Sequence, residues 1–460
     1  MTALPIQIQI NAWTGSASNR SDLDPGLGGR LLAKQLAVAS GALAIKPIDK
    51  REWNDPRVGW GLVLPENKAL SAPDKAAAID APEPLQRLLA HRAGVVLRYD
   101  PAGAFGALRR DYADGVSEEV WPASFGTGPG EVPLYLMIAA TPAQIPWRVQ
   151  FDLQASSFVG RLDLDGPGLE NYVEAVLSDW GNSAANTAST LVWAVDHGIG
   201  DITHLMRNAI AEPLNQRYAS DPDISAQFID GFNGSAAASD LIMVLGEQRP
   251  IVVATTSHGM TGPLNNVADM QRDLGLLVDG NGKVTNPATL LADWSPDGAV
   301  WYAHACCSAG TRATSDFLDY VSPGSDVDRI LRGLQACGEM TAPFPRALLG
   351  ASRPLRGFIG HVEPTFDYSV EHPNTGQWLT QPLLRTFYEG LFAGEPIGHA
   401  LDLCRRTAAS LLHAQRAAER ALALTGENRR GEFLALNLMA GDWNAFVLLG
   451  DPACAIPKLP

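Results

Sequence analysis

Four short runs constrain this chain more than any other feature: IVVATTS (251–257), AVWYAHA (299–305), GFIGHV (357–362) and FVLLGDPA (446–453). Each is continuously apolar or β-branched and closes on small or polar residues. A strand that is apolar on both faces must be covered on both, which calls for a mostly parallel sheet between helical layers. VPLYLMIAA (132–140), broken afterwards by Pro142 and Pro146, and STLVWAV (189–195) read the same way. Helical spacing separates them at LENYVEAVLSDW (169–180) and at DITHLMRNAIAEPLNQRY (201–218), where Asp201 stands as an N-cap. An alanine-rich stretch from Pro396 to about Leu424 predicts a long helix, with Arg405, Arg406, Arg416 and Arg420 on a solvated face. The expected fold is a three-layer α/β/α sandwich over residues 151–460. Residues 1–150 are harder to read. They hold a loop-like segment from Asp49 to Asn67 and a short helix over 82–94, and are expected to form a smaller α/β subdomain.

Composition excludes several classes. With 46% apolar and 18% charged residues among 460, the chain can bury a large core and is neither disordered nor fibrous. A net charge of −15 argues against a nucleic-acid partner. No apolar run approaches the ~20 residues needed to cross a bilayer. The start, MTALPIQIQINAWTG, lacks the basic and apolar regions of a secretory leader, so a cytoplasmic protein is expected. Five cysteines without a CxxC pair make a disulfide framework or a zinc knuckle a poor fit.

Ligands of parallel sheets sit beyond the carboxyl ends of the strands, and two strand ends carry chemistry. His258 and Gly259 follow the first run, and Cys306, Cys307, Ser308 and Gly310 follow the second. Parallel neighbours in one sheet would bring these tips to the same rim. An imidazole beside a thiol can take its proton and return it to a leaving group. The backbone N–H groups of Gly259 and of the cysteine could hold an oxyanion. The bland readings are a hydrogen-bonded structural histidine and a cysteine serving as a small core residue. Nothing in the arrangement calls for a metal or another cofactor.

The two elements together, SHG at 257–259 and AHACCSAG at 303–310, resemble the caspase-like cysteine peptidases of clan CD. Three further segments are similar to the gingipain-like branch of that clan: FVGRLDLDGPGLENYVEAVLSDW (158–180), GFIGHVEPTFDYSV (357–370) and FVLLGDPACAI (446–456). The resemblance covers about residues 130–460 and implies a caspase-like sandwich and a cysteine endopeptidase acting on a protein or peptide. It makes His258 the catalytic imidazole, Gly259 an oxyanion donor and Cys306, which follows Ala305, the nucleophile. Cys307, three residues before Gly310, is the alternative nucleophile. By the same resemblance Asp196, or else His197, orients the imidazole, and Asp201 lines a pocket for a basic side chain; a plain N-cap is the rival reading of Asp201. Phe366 and Tyr368 would wall that pocket. His304 shares a strand face with Cys306, as a tuning group or a structural histidine, while His361 and Glu363 receive no role. An intracellular, regulated peptidase, in bacterial stress or defence, is one expectation. A catalytically silent interaction module and a thiol hydrolase of small acyl substrates are the others. The oligomeric state is not set by the sequence.

Overall fold

The computed structural model describes residues 7–10, 19–22, 48–103, 107–121, 124–425 and 430–459. Of the first 47 residues, only the antiparallel pair Gln7–Ile10 with Asn19–Asp22 is described. The rest of the segment on which the leader reading rests lies outside the described residues.

From Lys50 onward the chain forms one compact unit around a sheet of twelve strands. In chain order these are β1 (Trp60–Pro65), β2 (Val95–Tyr99), β3 (Leu108–Asp111), β4 (Ser117–Val120), β5 (Tyr135–Ile138), β6 (Phe158–Arg161), β7 (Asn186–Ala194), β8 (Ser225–Asp230), β9 (Pro250–Thr256), β10 (Val300–His304), β11 (Gly357–His361) and β12 (Phe446–Leu449). Across the sheet the order is β8-β7-β9-β10-β11-β12-β6-β5-β1-β2-β3-β4. Helices interleave with the strands along the chain, so the fold is α/β with a mostly parallel sheet. Residue 150 falls in the helix Trp147–Gln154, between the paired strands β5 and β6.

The sheet is built of two parallel sets that run in opposite senses. β8, β7, β9, β10 and β11 are mutually parallel. β12 is antiparallel to β11 but parallel to β6, which continues in parallel through β5 and β1 to β2. The carboxyl ends of the two sets therefore lie on opposite rims. Within each set the chain repeats one path: the second strand goes to one side of the first, and the next two to the other (β7, β8, then β9, β10; β1, β2, then β5, β6). Each set thus has a switch point, β7/β9 and β1/β5, where a crevice is expected beyond the strand ends.

Most of the expected elements form. β9, β10 and β11 are buried at every residue, as continuous apolar runs require. Three expectations need correction. The segment from Asp49 to Asn67 is not all loop, because β1 occupies Trp60–Pro65, and Gly61 lets its backbone pack against Pro133 and Leu136. The helix after Asp201 is not uniform: α-helical turns over Ile202–Met206 and Glu212–Ser220 flank a π turn over Arg207–Ala211. Pro213 has no N–H for the carbonyl four residues back, and that carbonyl, of Ala209, accepts the Thr380 hydroxyl at 2.6 Å instead. The late alanine-rich helix is also divided, into Ile397–Ala400 and Asp402–Thr425.

Candidate active site

β9 and β10 pair in parallel with Thr256 opposite His304. His258 and Cys306 each lie two residues beyond that pair, so the two tips run side by side at one rim. Contact between them is tight. A Cβ built on Gly259 would lie 1.9 Å from the Cys306 carbonyl oxygen, so only glycine lets the backbones approach this closely. A short antiparallel ladder, His258 opposite Val278 and Gly259 opposite Leu277, holds the histidine tip from its other side.

The cysteine turn is stitched to the segment after β11. The Cys307 N–H donates to the Glu363 carbonyl at 2.9 Å, and the Ala309 N–H to that of His361 at 2.9 Å. Ser308 Oγ donates to the Ala303 carbonyl and accepts from the His361 N–H, each at 3.0 Å. These bonds leave Cys306 partly exposed, while Cys307 is fully buried with a left-handed φ of 54°. Cys307 packs against Leu274 and Leu334. Burial pushes its thiol well above the ordinary range, and the neighbouring Cys306 and Glu363 add to the rise. Burial also raises the Cys306 thiol, but the Thr365 N–H, 3.4 Å from its Sγ, opposes the rise.

The imidazole has a carboxylate partner other than the one expected. His258 Nε2 lies 3.1 Å from Asp201 Oδ2. Partial burial would raise the Asp201 carboxyl. The Thr203 hydroxyl at 2.5 Å and N–H at 2.8 Å, together with His258, outweigh this and hold it below the usual carboxylate range. Asp201 therefore caps its helix through Oδ1 and contacts the imidazole through Oδ2; the N-cap expected of it is present. Asp196 instead pairs with His204, Nδ1 to Oδ2 at 2.9 Å. The correction has a geometric reason. The turn Asp196–Asp201, with φ near +100° at Gly198 and Gly200, brings the Asp201 carboxylate to the His258 ring. His197 stacks on that ring at 5.5 Å between centroids, 19° from parallel.

Phe366 and Tyr368, expected as pocket walls, follow Thr365 in the segment that reaches Cys306. Phe366 packs its ring against Phe317 at 4.7 Å and is half-buried, as is Tyr368. Sequence reasoning overlooked two groups here, Thr365 and Asp442. Asp442 Oδ2 accepts the Phe366 N–H at 3.0 Å and also the Ser369 hydroxyl, so it anchors the segment that covers the thiol. Its Oδ1 lies 3.2 Å from His361 Nδ1. Nothing near Asp442 in the sequence signals this, since the partners lie more than seventy residues away. His304 is buried against the His361 ring, with the Tyr302 hydroxyl 2.8 Å from its Nδ1. Burial, aided by His361, pushes its pKa well below the ordinary histidine value, so the ring is neutral.

Among the described residues no cluster of three or more His, Cys, Asp or Glu side chains could hold a metal ion. Among them, too, no helix is long and apolar enough to cross a membrane. No family model and no curated protein matches the chain. Two crystal structures of the Saccharomyces cerevisiae separase–securin complex resemble it, at 11% and 10% identity with TM-scores of 0.35 and 0.34. The likeness covers 73% and 70% of this chain but only 16% of those chains, so it spans about a sixth of their length. TM-scores this low carry no weight for fold or function.

Proposed function

We propose that the chain is a cysteine endopeptidase of the caspase-like, gingipain-like kind. The observation that carries the reading is the contact between the two strand tips, with Asp201 on the imidazole of the first and Cys306, the less buried of the two adjacent cysteines, on the second. Cys306 gives its proton to His258, and the thiolate attacks the scissile carbonyl. The N–H groups of Cys306 and Gly259 stabilise the oxyanion, and His258 then protonates the leaving amine. Water, activated by the same imidazole, releases the acyl group. Asp201 holds the imidazole in register. Burial of Cys307 supports Cys306 as the nucleophile, because a thiol held neutral in a packed core attacks nothing. Preference for a basic residue before the scissile bond, with Phe366 and Tyr368 beside the pocket, rests on the family resemblance. So do a protein substrate, a cytoplasmic setting and a regulated role. Residues before 150 form the companion half in this reading.

One observation favours a second reading. The Cys306 thiol is raised by burial and sits beneath the Thr365 N–H, a geometry that suits a latent enzyme or an interaction module. A fluorogenic peptide panel varied at the residue before the scissile bond tests both, with Cys306→Ala and Cys307→Ala beside the wild type. Turnover lost in Cys306→Ala and kept in Cys307→Ala supports the peptidase. Turnover lost only in Cys307→Ala overturns the choice of nucleophile. No turnover from any form, with or without a thiol reductant, moves the reading to the module.

A further inference from the structure

Thr365 is only 7% exposed, and a backbone N–H buried that deeply needs an acceptor. Its acceptor is Cys306 Sγ, at 3.4 Å. A neutral thiol accepts hydrogen bonds weakly, whereas an ionised group accepts them well. The N–H is therefore better satisfied by the Cys306 thiolate than by the thiol. Burial raises the Cys306 thiol, and the Thr365 N–H works against that rise.

The segment that carries this N–H is held at both ends. Upstream, Glu363 is tied twice to the cysteine turn. Its carbonyl accepts the Cys307 N–H at 2.9 Å, and its N–H donates to the Gly310 carbonyl at 3.2 Å. Pro364 follows, with its φ fixed by the ring. Downstream, Asp442 Oδ2 accepts the Phe366 N–H at 3.0 Å and also the Ser369 hydroxyl. Asp442 is 1% exposed, and a carboxylate buried so deeply is costly unless donors surround it. Its negative charge by itself opposes ionisation of the nearby sulfur. What it can contribute to the thiolate is therefore positional.

We propose that the Thr365 N–H is a catalytic donor that stabilises the Cys306 thiolate, and that Asp442 is the positioning residue that aims it. The donor holds the anion formed when the Cys306 proton passes to His258. This deepens the peptidase reading and rests on Cys306 as its nucleophile.

The pH profile of Cys306 alkylation by iodoacetamide, on the full chain, tests it, with the adduct located by tandem mass spectrometry. Asp442→Asn and Asp442→Ala both remove the charge, but Asn keeps an oxygen for the Phe366 N–H and Ala does not. His361 and His304 behind Asp442, the Glu363–Arg312 pair, Cys307 and His258 are common to both variants, so the difference between the two reads the anchor. The midpoint for Asp442→Ala is expected about one pH unit above that for Asp442→Asn, or about tenfold less thiolate at neutral pH, as for loosening one hydrogen bond to a charged group. If either variant does not fold, Ser369→Ala against the wild type decides. It keeps the charge and removes one of the two anchoring bonds, so its midpoint rises by a smaller step. Equal midpoints in the deciding pair, a midpoint lowered by loss of the anchor, or no alkylation of wild-type Cys306 up to about pH 10 overturns the proposal. Alkylation reads the thiol itself, so absence of peptide turnover from every form overturns the peptidase and leaves the donor in place.

Discussion

The two halves of the sheet follow the same path and carry different chemistry. Beyond β9 and β10 stand an imidazole and a thiol, with the turn after β7 supplying a carboxylate. Beyond β5 and β6 the chain runs Ala139-Ala140-Thr141 and Leu162-Asp163-Leu164, and the residues after β1 are Glu66 and Asn67. Among the described residues no nucleophile–base pair stands at that rim, and a cavity lined with carboxylates occupies it. The difference teaches that strand order fixes where a crevice lies, while a few residues past each strand decide what it can do.

Loss of the Asp201 contact is the largest effect expected on the half that carries His258 and Cys306. If this acid orients His258, Asp201→Asn lowers kcat by about 10²–10⁴-fold, whereas Asp196→Asn costs less than about tenfold. Steady-state kinetics on one peptide compares them, and equal losses would return the orienting role to Asp196. Gly259→Ala addresses the contact between the tips. Its Cβ would fall 1.9 Å from the Cys306 oxygen, so a loss of about 3 kcal/mol or more in urea-unfolding free energy is expected. A variant as stable as the wild type would mean that the tips do not touch.

A smaller effect comes from the buried histidine below the thiol. His304 is held neutral in the fold, whereas in the unfolded chain it takes a proton below about pH 6.5. The unfolded state therefore binds the extra proton, so stability is lost as pH falls from about 6.5 toward the depressed native value, by up to about 1.4 kcal/mol per unit. His304→Gln flattens the pH dependence of the melting temperature between pH 6.5 and 5; an unchanged slope would show that His304 is not the group responsible. The smallest change is expected from Cys307→Ala. Removing a buried sulfur costs about 1–2 kcal/mol of stability and leaves peptide turnover intact. Should turnover vanish while the protein stays folded, the assignment of the thiols is reversed.

Much of the half that carries His258 and Cys306 was legible because its central strands are buried on both faces and so are written as continuous apolar runs. Such runs mark strand ends, and His258 and Cys306 follow them directly. The edge strand β8, Ser225–Asp230, escaped notice because it is only half-buried and its short run SAQFID is broken by Gln227 and closed by Asp230. β1 was masked by Gly59, Gly61 and Pro65; the two glycines are accounted for only by their close packing against residues 126–136. Asp196 was favoured over Asp201 because it directly follows its strand. The reach of each carboxylate depends instead on how the glycine turn between them folds.

By itself, then, the sequence determined the class of fold, the position of the main strand ends and the residues standing at them. These follow from local apolar patterning, which each segment carries alone. The tertiary structure decided that the two parallel sets run in opposite senses, because that depends on β12 pairing with β11 on one side and with β6, nearly three hundred residues earlier, on the other. It also decided which aspartate meets the imidazole, which of two adjacent thiols is buried, and that Thr365 and Asp442 close over the site. Hydrogen bonds reach about 3 Å, and only the pairing of distant segments brings groups that close.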